Sequence, residues 1–142
     1  MFYLLDTNIC IHLIQRQPPQ VLQRLAALRQ GQIAMSAVTY AELCAGIEMQ
    51  SANRNHDAQV LALLTQRIPV LPLAEAAAQA YGVLRAAVRE RRRDALDRLI
   101  AAHAIAVGAV LVTNNEADFC DYPGLQWANW AEVRKDRDRG HG

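Results

Sequence analysis

The fold is decided at the start of the chain, by the stretch Tyr3-Leu4-Leu5-Asp6-Thr7-Asn8. A short apolar run is closed by the polar triplet Asp6-Thr7-Asn8, and Ile9 and Leu13 then recur at helical spacing. The pattern predicts a buried strand, a tight turn and a helix in immediate succession. That order is typical of proteins in which strands and helices alternate.

The same alternation continues along the chain. We expect further strands at residues 33–35, 68–71, 109–112 and 125–127. Prolines at positions 69 and 72 make the strand predicted at residues 68–71 a marginal one. Helical patterns lie between the strands, at residues 20–29, from 36 or 39 to 50, and at 57–67, 74–91, 94–107 and 116–119. The alternation predicts a parallel sheet with helices on both faces, and a ligand site outside the carboxyl ends of its strands.

The composition of the 142-residue chain fits one globular domain. Hydrophobic residues make up 52% of it, which excludes a disordered or fibrous protein. We assign residues 1–133 to this domain and residues 134–142 to a polar, basic C-terminal tail. The net charge of +1 indicates no general affinity for nucleic acids or membranes. Because the chain shows neither a signal peptide nor an apolar stretch long enough to span a bilayer, we expect a cytoplasmic protein with no membrane partner.

Four acidic residues lie where predicted strands end or predicted helices begin: Asp6, Glu42, Asp97 and Asp118. Each has a structural alternative as a helix cap or first-turn acid, and Glu42 also fits a capping box with Thr39. Together they fall in segments that a parallel topology can bring to one end of the sheet. Two unit charges about 4 Å apart repel by about 4 kcal/mol at an effective dielectric of about 20. Such a cluster needs cations, and carboxylate oxygens suit Mg²⁺ or Mn²⁺, which can activate water to hydrolyse a phosphodiester.

Several fragments carry a family resemblance, in order along the chain: residues 4–8 (Leu-Leu-Asp-Thr-Asn), 37–43 (Ala-Val-Thr-Tyr-Ala-Glu-Leu) with Gly46, 96–104 (Leu-Asp-Arg-Leu-Ile-Ala-Ala-His-Ala), 111–115 (Leu-Val-Thr-Asn-Asn) and the later Phe119, Pro123-Gly124-Leu125 and Trp130. This ordered set resembles the PIN-domain toxins of the VapC type over almost the whole chain. The resemblance implies an α/β/α sandwich with a central, mostly parallel sheet. It implies a Mg²⁺-dependent endoribonuclease toxin, with Mn²⁺ as a substitute ion, that hydrolyses a structured RNA such as a tRNA.

The resemblance also implies partners and residue roles. The partners are the RNA substrate, a cognate antitoxin bound over the active site and a second copy of the chain in a homodimer. Asp6, Glu42 and Asp97 match the acidic triad of the family. Asp6 and Asp97 would be the principal metal ligands, and Glu42 would complete the metal shell or position water.

The fourth acid of the family pattern is open in this sequence. Many PIN domains have an aspartate where this chain has Asn115, so the candidates are Asp118, Glu116 and Asp94. We place Asp118 in the catalytic set, because its position before Phe119 better fits the toxin branch. Asp94 lies one helical turn before the third triad residue, and we interpret it as a helix cap.

Polar neighbours of the acids are predicted to orient them. Thr7, Asn8, Thr113 and Asn114 are candidate donors to the carboxylates, although each is also an ordinary turn residue. His103 is six positions after Asp97, which places it about 240° around the helix from that acid, so we interpret it as a packing residue.

The basic residues are distributed unevenly, since ten of the fifteen follow Tyr81. We select five arginines as candidate contacts to RNA phosphates: Arg85, Arg89, Arg91, Arg92 and Arg93. The structural alternative for them is a solvated helix end. The main functional alternative for the whole chain is a catalytically silent RNA-binding or scaffold module with the same fold. A phosphoacceptor receiver domain is disfavoured, because the only lysine is Lys135 in the predicted tail.

Overall fold

The computed structural model describes residues 1–16, 19–49 and 52–130, so the predicted tail at 134–142 lies outside the described residues. Their strands are β1 (Tyr3–Leu5), β2 (Ile33–Ser36), β3 (Val70–Leu71), β4 (Val110–Val112) and β5 (Trp127–Ala128). They form one sheet in the order β3-β2-β1-β4-β5, and all four pairings between them are parallel. The predicted parallel sheet is therefore confirmed, including the short β3 beside the prolines.

The helices of the described residues are α1 (Thr7–Gln15), α2 (Pro19–Ala26), α3 (Ala37–Met49), α4 (Arg54–Arg67), α5 (Glu75–Ala87), α6 (Ala95–Val107) and α7 (Glu116–Phe119). Gly108 ends α6 as predicted: it has φ 70°, in the left-handed region that glycine adopts freely, and its N–H bonds the carbonyls of Ala104 and Ile105. By contrast, α5 ends four residues before the predicted position 91. The segment that follows is a turn, in which the Arg91 N–H bonds the Val88 carbonyl and not the Ala87 carbonyl that a continuing α-helix would use.

Two hydrophobic clusters show that the sheet is covered on both faces. Leu5 packs into one cluster with Ile9 of α1, and Leu4 packs into the other with Ile100 of α6. All four side chains are completely buried. Because successive residues of a strand point to opposite faces, a buried pair such as Leu4 and Leu5 requires helices on both sides. The α/β/α sandwich is therefore confirmed.

Two helix caps do not form: the capping box that was the structural alternative for Glu42, and the cap predicted for Asp94. Thr39 and Glu42 do not form a capping box, since α3 begins before them and its early N–H at Val38 bonds the hydroxyl of Ser36. Asp94 does occupy the position before α6, but its backbone is left-handed, at φ 67°, and its carboxylate makes no cap hydrogen bond. That carboxylate pairs with Arg91 instead. Glu42 and Asp94 are thus free of the capping roles that would explain them structurally.

The strand order reverses at β1, which lies between β2 and β4. At such a point the connections on either side lead away to opposite faces, and a crevice opens beyond the carboxyl ends of the strands. Asp6 directly follows β1 and Thr113 directly follows β4. No helix in the described part of the chain has the length and apolar character needed to cross a membrane.

Candidate functional site

Asp6 is fixed at the carboxyl end of β1 by the backbone on both sides of it. Its N–H bonds the Val112 carbonyl of β4 at 3.0 Å, and its Oδ1 accepts from the Ile9 N–H at 2.9 Å, so it is the N-cap of α1. The carboxylate is only 3% exposed. Burial raises the pKa of Asp6 to about 7, and hydrogen bonds from the Thr113 side chain and Ile9 oppose that rise.

The negative charges of Asp97 and Glu42 raise the pKa of Asp6 further. Three acids from separate parts of the chain are therefore within electrostatic range of one another. This is the convergence expected from the sequence, since β1, α3 and α6 meet at the carboxyl edge of the sheet.

Glu42 is held by hydroxyl groups. Its Oε1 accepts a hydrogen bond from Thr7 Oγ1 at 2.5 Å, and the same hydroxyl lies 3.3 Å from Thr39 Oγ1. Thr39 is fully buried in α3, three residues before Glu42. The first turn of α1 and the middle of α3 are thereby joined by polar side chains at the rim of the site.

Asp97 lies in the first turn of α6 and is partly exposed. Burial raises its pKa to about 6, and the charges of Asp118, Glu42 and Asp94 raise it further, while Arg91 lowers it. Asp97 therefore faces acids from both sides, Glu42 on α3 and Asp118 on α7.

The three candidates for the fourth acid have different surroundings. Asp118 accepts a hydrogen bond from the Asn115 side chain at 2.6 Å, and its charge raises the pKa of Asp97. Glu116 accepts from Asn129 at 2.7 Å, beside the end of β5. Asp94 pairs with Arg91 at 3.1 Å. Asp118 thus contributes negative charge to the site without an ion pair of its own among the described contacts.

The four predicted donors divide into two threonines and two asparagines. Thr7 donates to Glu42, and Thr113 donates to Asp6 while its oxygen accepts from the Asn115 N–H at 2.9 Å. Asn8 is exposed, and the structure shows no bond from it to an acid among the described residues. Asn114 instead lies 3.3 Å from the Nε2 of His12.

His12 was not found from the sequence, where it is one polar residue on an otherwise apolar helix face. Its Nδ1 is buried and has no hydrogen-bond partner among the described residues. The contact with Asn114 fits a donating amide and a ring proton on Nδ1. His103, in contrast, is buried as predicted, with its Nδ1 2.8 Å from Ser36 Oγ and its pKa lowered by burial.

The five candidate arginines differ in the contacts that they make within the protein. Arg91 pairs with Asp121 and Asp94, while Arg85 donates to the Arg89 carbonyl and Arg89 approaches the carbonyl of Ala86. Arg92 and Arg93 are exposed and make no ion pair among the described residues. They line a surface depression of about 360 Å³, together with residues 90, 91 and 94.

The donor set determines which metal ion the site suits. In the described ranges, no three Asp, Glu, His or Cys side chains form a group that could hold an ion by themselves. Mg²⁺ commonly binds through one or two carboxylates and keeps several waters, so it needs no such cage. Asp6 and Asp97 offer two carboxylates whose proximity to other acids disfavours their ionised forms. The residues present therefore fit a partly hydrated divalent cation with oxygen ligands.

Comparisons with known proteins agree with this architecture. A family profile described as PIN domain matches residues 3–125. Ribonuclease VapC1 of Haemophilus influenzae (strain R2866) is 35% identical over 135 residues, which are 93% of this chain and 100% of that protein. The tRNA(fMet)-specific endonuclease VapC of Shigella flexneri is 37% identical over 131 residues, or 91% of this chain and 98% of that protein. The ribonucleases of the PIN domain family are generally dependent on divalent metal ions.

A solved structure shows the same fold. It is the crystal structure of VapBC2 from Rickettsia felis bound to a DNA fragment from their promoter. One of its chains superposes with a TM-score of 0.84 at 32% identity, covering 92% of this chain and 99% of that chain. The likeness extends over the sheet and both helical layers.

Proposed function

This chain belongs to the PIN domain family, and from that premise we propose that it is a Mg²⁺-dependent endoribonuclease toxin of a toxin-antitoxin pair. The similar proteins are named as ribonucleases and as a tRNA endonuclease, at 35–37% identity over more than nine tenths of this chain. The substrate class is therefore RNA, and a structured RNA such as a tRNA is the specific proposal. We also propose that the chain acts in the cytoplasm, where such an RNA would be its substrate.

One observation carries this proposal. Asp6 is almost completely buried at the switch point of the sheet, beside two other acids, and its pKa is raised to about 7. A carboxylate that served only as a helix cap would be stabilised by its surroundings, whereas this one is destabilised by burial and by like charge. A divalent cation removes both penalties at once.

Asp6 and Asp97 would hold the ion, with Glu42 on the α3 side of it. The ion, when bound, supplies positive charge that lowers the pKa of nearby water and stabilises negative charge on the phosphodiester. Thr113 keeps the Asp6 carboxylate in one orientation, because its hydroxyl is itself fixed by the Asn115 N–H. Glu42, held through Oε1 by Thr7, has its other oxygen available to orient the attacking water. Asp118 adds negative charge beside Asp97 and so favours cation binding.

The RNA would approach over the exposed arginines. Arg92 and Arg93 precede the first turn of α6, which carries Asp97, so phosphates bound there lie next to the acids. Arginine suits phosphate because its guanidinium can donate two parallel hydrogen bonds. Arg85 and Arg89 lie on or just after α5, where they would contact a longer RNA.

The partners follow from the same family. The solved structures that this chain resembles are VapBC toxin-antitoxin complexes. We propose a cognate antitoxin for this chain as well, because an uninhibited ribonuclease would damage its own cell. A homodimer remains our proposal for its assembly state.

The test is RNA cleavage by the purified chain with Mg²⁺, with Mn²⁺ and with EDTA. We expect cleavage with either ion and none with EDTA, and a loss of at least about 100-fold for Asp6→Asn and for Asp97→Asn. Glu48→Gln is the matched control, since Glu48 is an exposed acid that pairs with Arg54 outside the site. If both aspartate variants cleave as fast as the parent, the assignment is wrong.

The alternative is a catalytically silent RNA-binding or scaffold module. It predicts that RNA binds with the salt dependence of phosphate contacts while Mg²⁺ produces no cleavage. End-sequencing of RNA after brief expression of the parent and of Asp6→Asn separates the two, because only an active nuclease leaves new ends that depend on Asp6.

A further inference from the structure

Arg91 makes more side-chain contacts than any other arginine described above. Its Nη1 lies 2.7 and 2.9 Å from the two carboxylate oxygens of Asp121. Its Nη2 donates to Asp94 Oδ2 at 3.1 Å and to the backbone carbonyl of Asp118 at 3.2 Å. The guanidinium also lies over the ring of Tyr122, 5.0 Å from its centre. One side chain from the loop between α5 and α6 thus holds the segment that contains α7.

A second arginine fixes the loop from the other side. Arg98 follows Asp97 on α6 and is completely buried. Its Nη2 donates to the carbonyls of Arg91 at 2.7 Å and Arg93 at 2.6 Å, and its guanidinium lies 5.9 Å from the centre of the Tyr81 ring. The backbone from which Arg91 extends is therefore tied to the first turns of α6.

These contacts link the two acids on this side of the site. Asp97 is on α6, and Asp118 is on α7, which packs near α6 through Phe119 and is bonded to the Arg91 side chain at the Asp118 carbonyl. Without that side chain, Asp94 and Asp121 would lose the guanidinium with which both pair, while Asp94 and Asp118 would still act on Asp97 with like charge. Phe119 keeps α7 packed in the core, so we expect this repulsion to turn the Asp118 carboxylate away from Asp97 without releasing the helix.

We propose that Arg91 is a positioning residue of the metal site, which holds Asp118 beside Asp97 by bridging Asp94, Asp121 and the Asp118 carbonyl. The inference rests on the proposed function and extends it. It also reassigns Arg91, which the sequence suggested as an RNA contact. Arg92 and Arg93 keep that role.

A positioning role for Arg91 and a purely electrostatic role predict opposite effects of its removal on binding of a divalent cation. If Arg91 acted only as a nearby positive charge, its removal would strengthen binding of a divalent cation. If it positions Asp118, its removal weakens that binding despite the electrostatic gain. The Arg91→Lys variant distinguishes the two roles further, because lysine keeps the positive charge but cannot bridge two carboxylates and a carbonyl.

The experiment is a calorimetric titration of the RNA-free chain with Mn²⁺, for the parent, Arg91→Met, Arg91→Lys and Asp121→Asn. We expect the dissociation constant to rise about tenfold in all three variants, as for other residues that orient metal ligands. The double variant of Arg91→Met with Asp121→Asn should bind Mn²⁺ no more weakly than Arg91→Met alone, since Arg91→Met already removes the contact with Asp121. Arg54→Met is the matched control: it breaks the Glu48 ion pair on the surface and should leave Mn²⁺ binding unchanged.

Arg91→Lys keeps the proposal testable if Arg91→Met does not fold, because lysine keeps the positive charge and a long aliphatic side chain but not the bridge. Unchanged or tighter Mn²⁺ binding in Arg91→Lys and Asp121→Asn would overturn the positioning role while leaving the metal site in place. A parent chain that binds no Mn²⁺ would overturn the proposed metal site and this inference with it.

Discussion

The two sides of the candidate site are built with different chemistry. On the hydroxyl side, Asp6 and Glu42 are held by the neutral hydroxyls of Thr113 and Thr7. On the guanidinium side, Asp97 and Asp118 lie beside the ion-paired Arg91. The first side is built on the ends of β1 and β4 together with α1 and α3, and the second on α6, α7 and the loop before α6.

This difference indicates that the two sides of the site contribute differently to metal binding. Neutral donors orient a carboxylate without cancelling its charge, so the hydroxyl side keeps its attraction for a cation. A guanidinium cancels charge, so it suits the side where four acids crowd together. We therefore expect Asp6 on the hydroxyl side to contribute most to metal binding, and Asp118 on the guanidinium side only to adjust it beside the second ligand, Asp97.

The largest expected effect tests that ranking directly. Asp6→Asn should lower the single-turnover rate of RNA cleavage by on the order of 1000-fold, because a proposed metal ligand is lost. Asp118→Asn should lower it by about tenfold, because Asp118 acts through its charge on Asp97. Rates at saturating Mg²⁺ check both. If Asp118→Asn is as damaging as Asp6→Asn, the two sides are equal partners in the metal site.

The next effect concerns the stability of the metal-free chain. The folded-state pKa of Asp6, about 7, is above its ordinary value of 3.8, so ionised Asp6 opposes folding. The penalty is absent below about pH 4, grows as the pH rises and is complete above about pH 7. Its upper bound is about 4 kcal/mol, since a tenfold change in a protonation equilibrium corresponds to about 1.4 kcal/mol.

Asp6→Asn should therefore raise the midpoint of thermal unfolding by several degrees at pH 8 in EDTA and not at pH 4. Asparagine caps helices as well as aspartate does, so the α1 cap to Ile9 is kept. Asp97→Asn, on the partly exposed guanidinium side, should show a smaller rise. Calorimetry at the two pH values measures both, and equal midpoints for the parent and Asp6→Asn at pH 8 would contradict the buried penalty.

The third prediction concerns the contribution of the Thr113 hydroxyl to metal affinity. Thr113→Val keeps the shape of a fully buried side chain and removes the donor to Asp6, so Mn²⁺ affinity should fall about tenfold. Thr113→Ser restores the hydroxyl and should recover most of the affinity. Calorimetric titration of both variants gives the comparison. A serine variant as weak as the valine variant would mean that packing, and not the hydrogen bond, is what Thr113 provides.

The hydroxyl side is also the side that could be predicted from the sequence. Asp6 and Thr113 directly follow strands, and Thr7 is the next residue after Asp6. Because parallel strands end at a common edge, the proximity of these residues follows from local patterns alone. The sheet and both helical layers were predictable for the same reason, because Leu4 and Leu5 require cover on both faces.

The guanidinium side could not be predicted in this way. Arg91 was expected inside a helix and in contact with RNA, because alanine-rich propensity extends α5 to position 91. Its actual position follows from the turn after α5 and from Arg98, whose buried guanidinium binds the carbonyls of Arg91 and Arg93. Contacts between residues 27 to 30 positions apart, such as Arg91 with Asp118 and Asp121, leave no local signature.

The smallest expected effect lies on the hydroxyl side, at its rim. Thr7→Val removes the hydroxyl that donates to Glu42 but leaves Asp6 and its cap intact. Since Glu42 orients water in the proposed reaction and is not a principal ligand, the cleavage rate should fall only about threefold, with Mn²⁺ affinity unchanged. A loss of affinity as large as that of Thr113→Val would instead make Glu42 a metal ligand equal to Asp6. The hydroxyl side would then bind the ion through two carboxylates of its own, and Asp97 would be the residue that adjusts it.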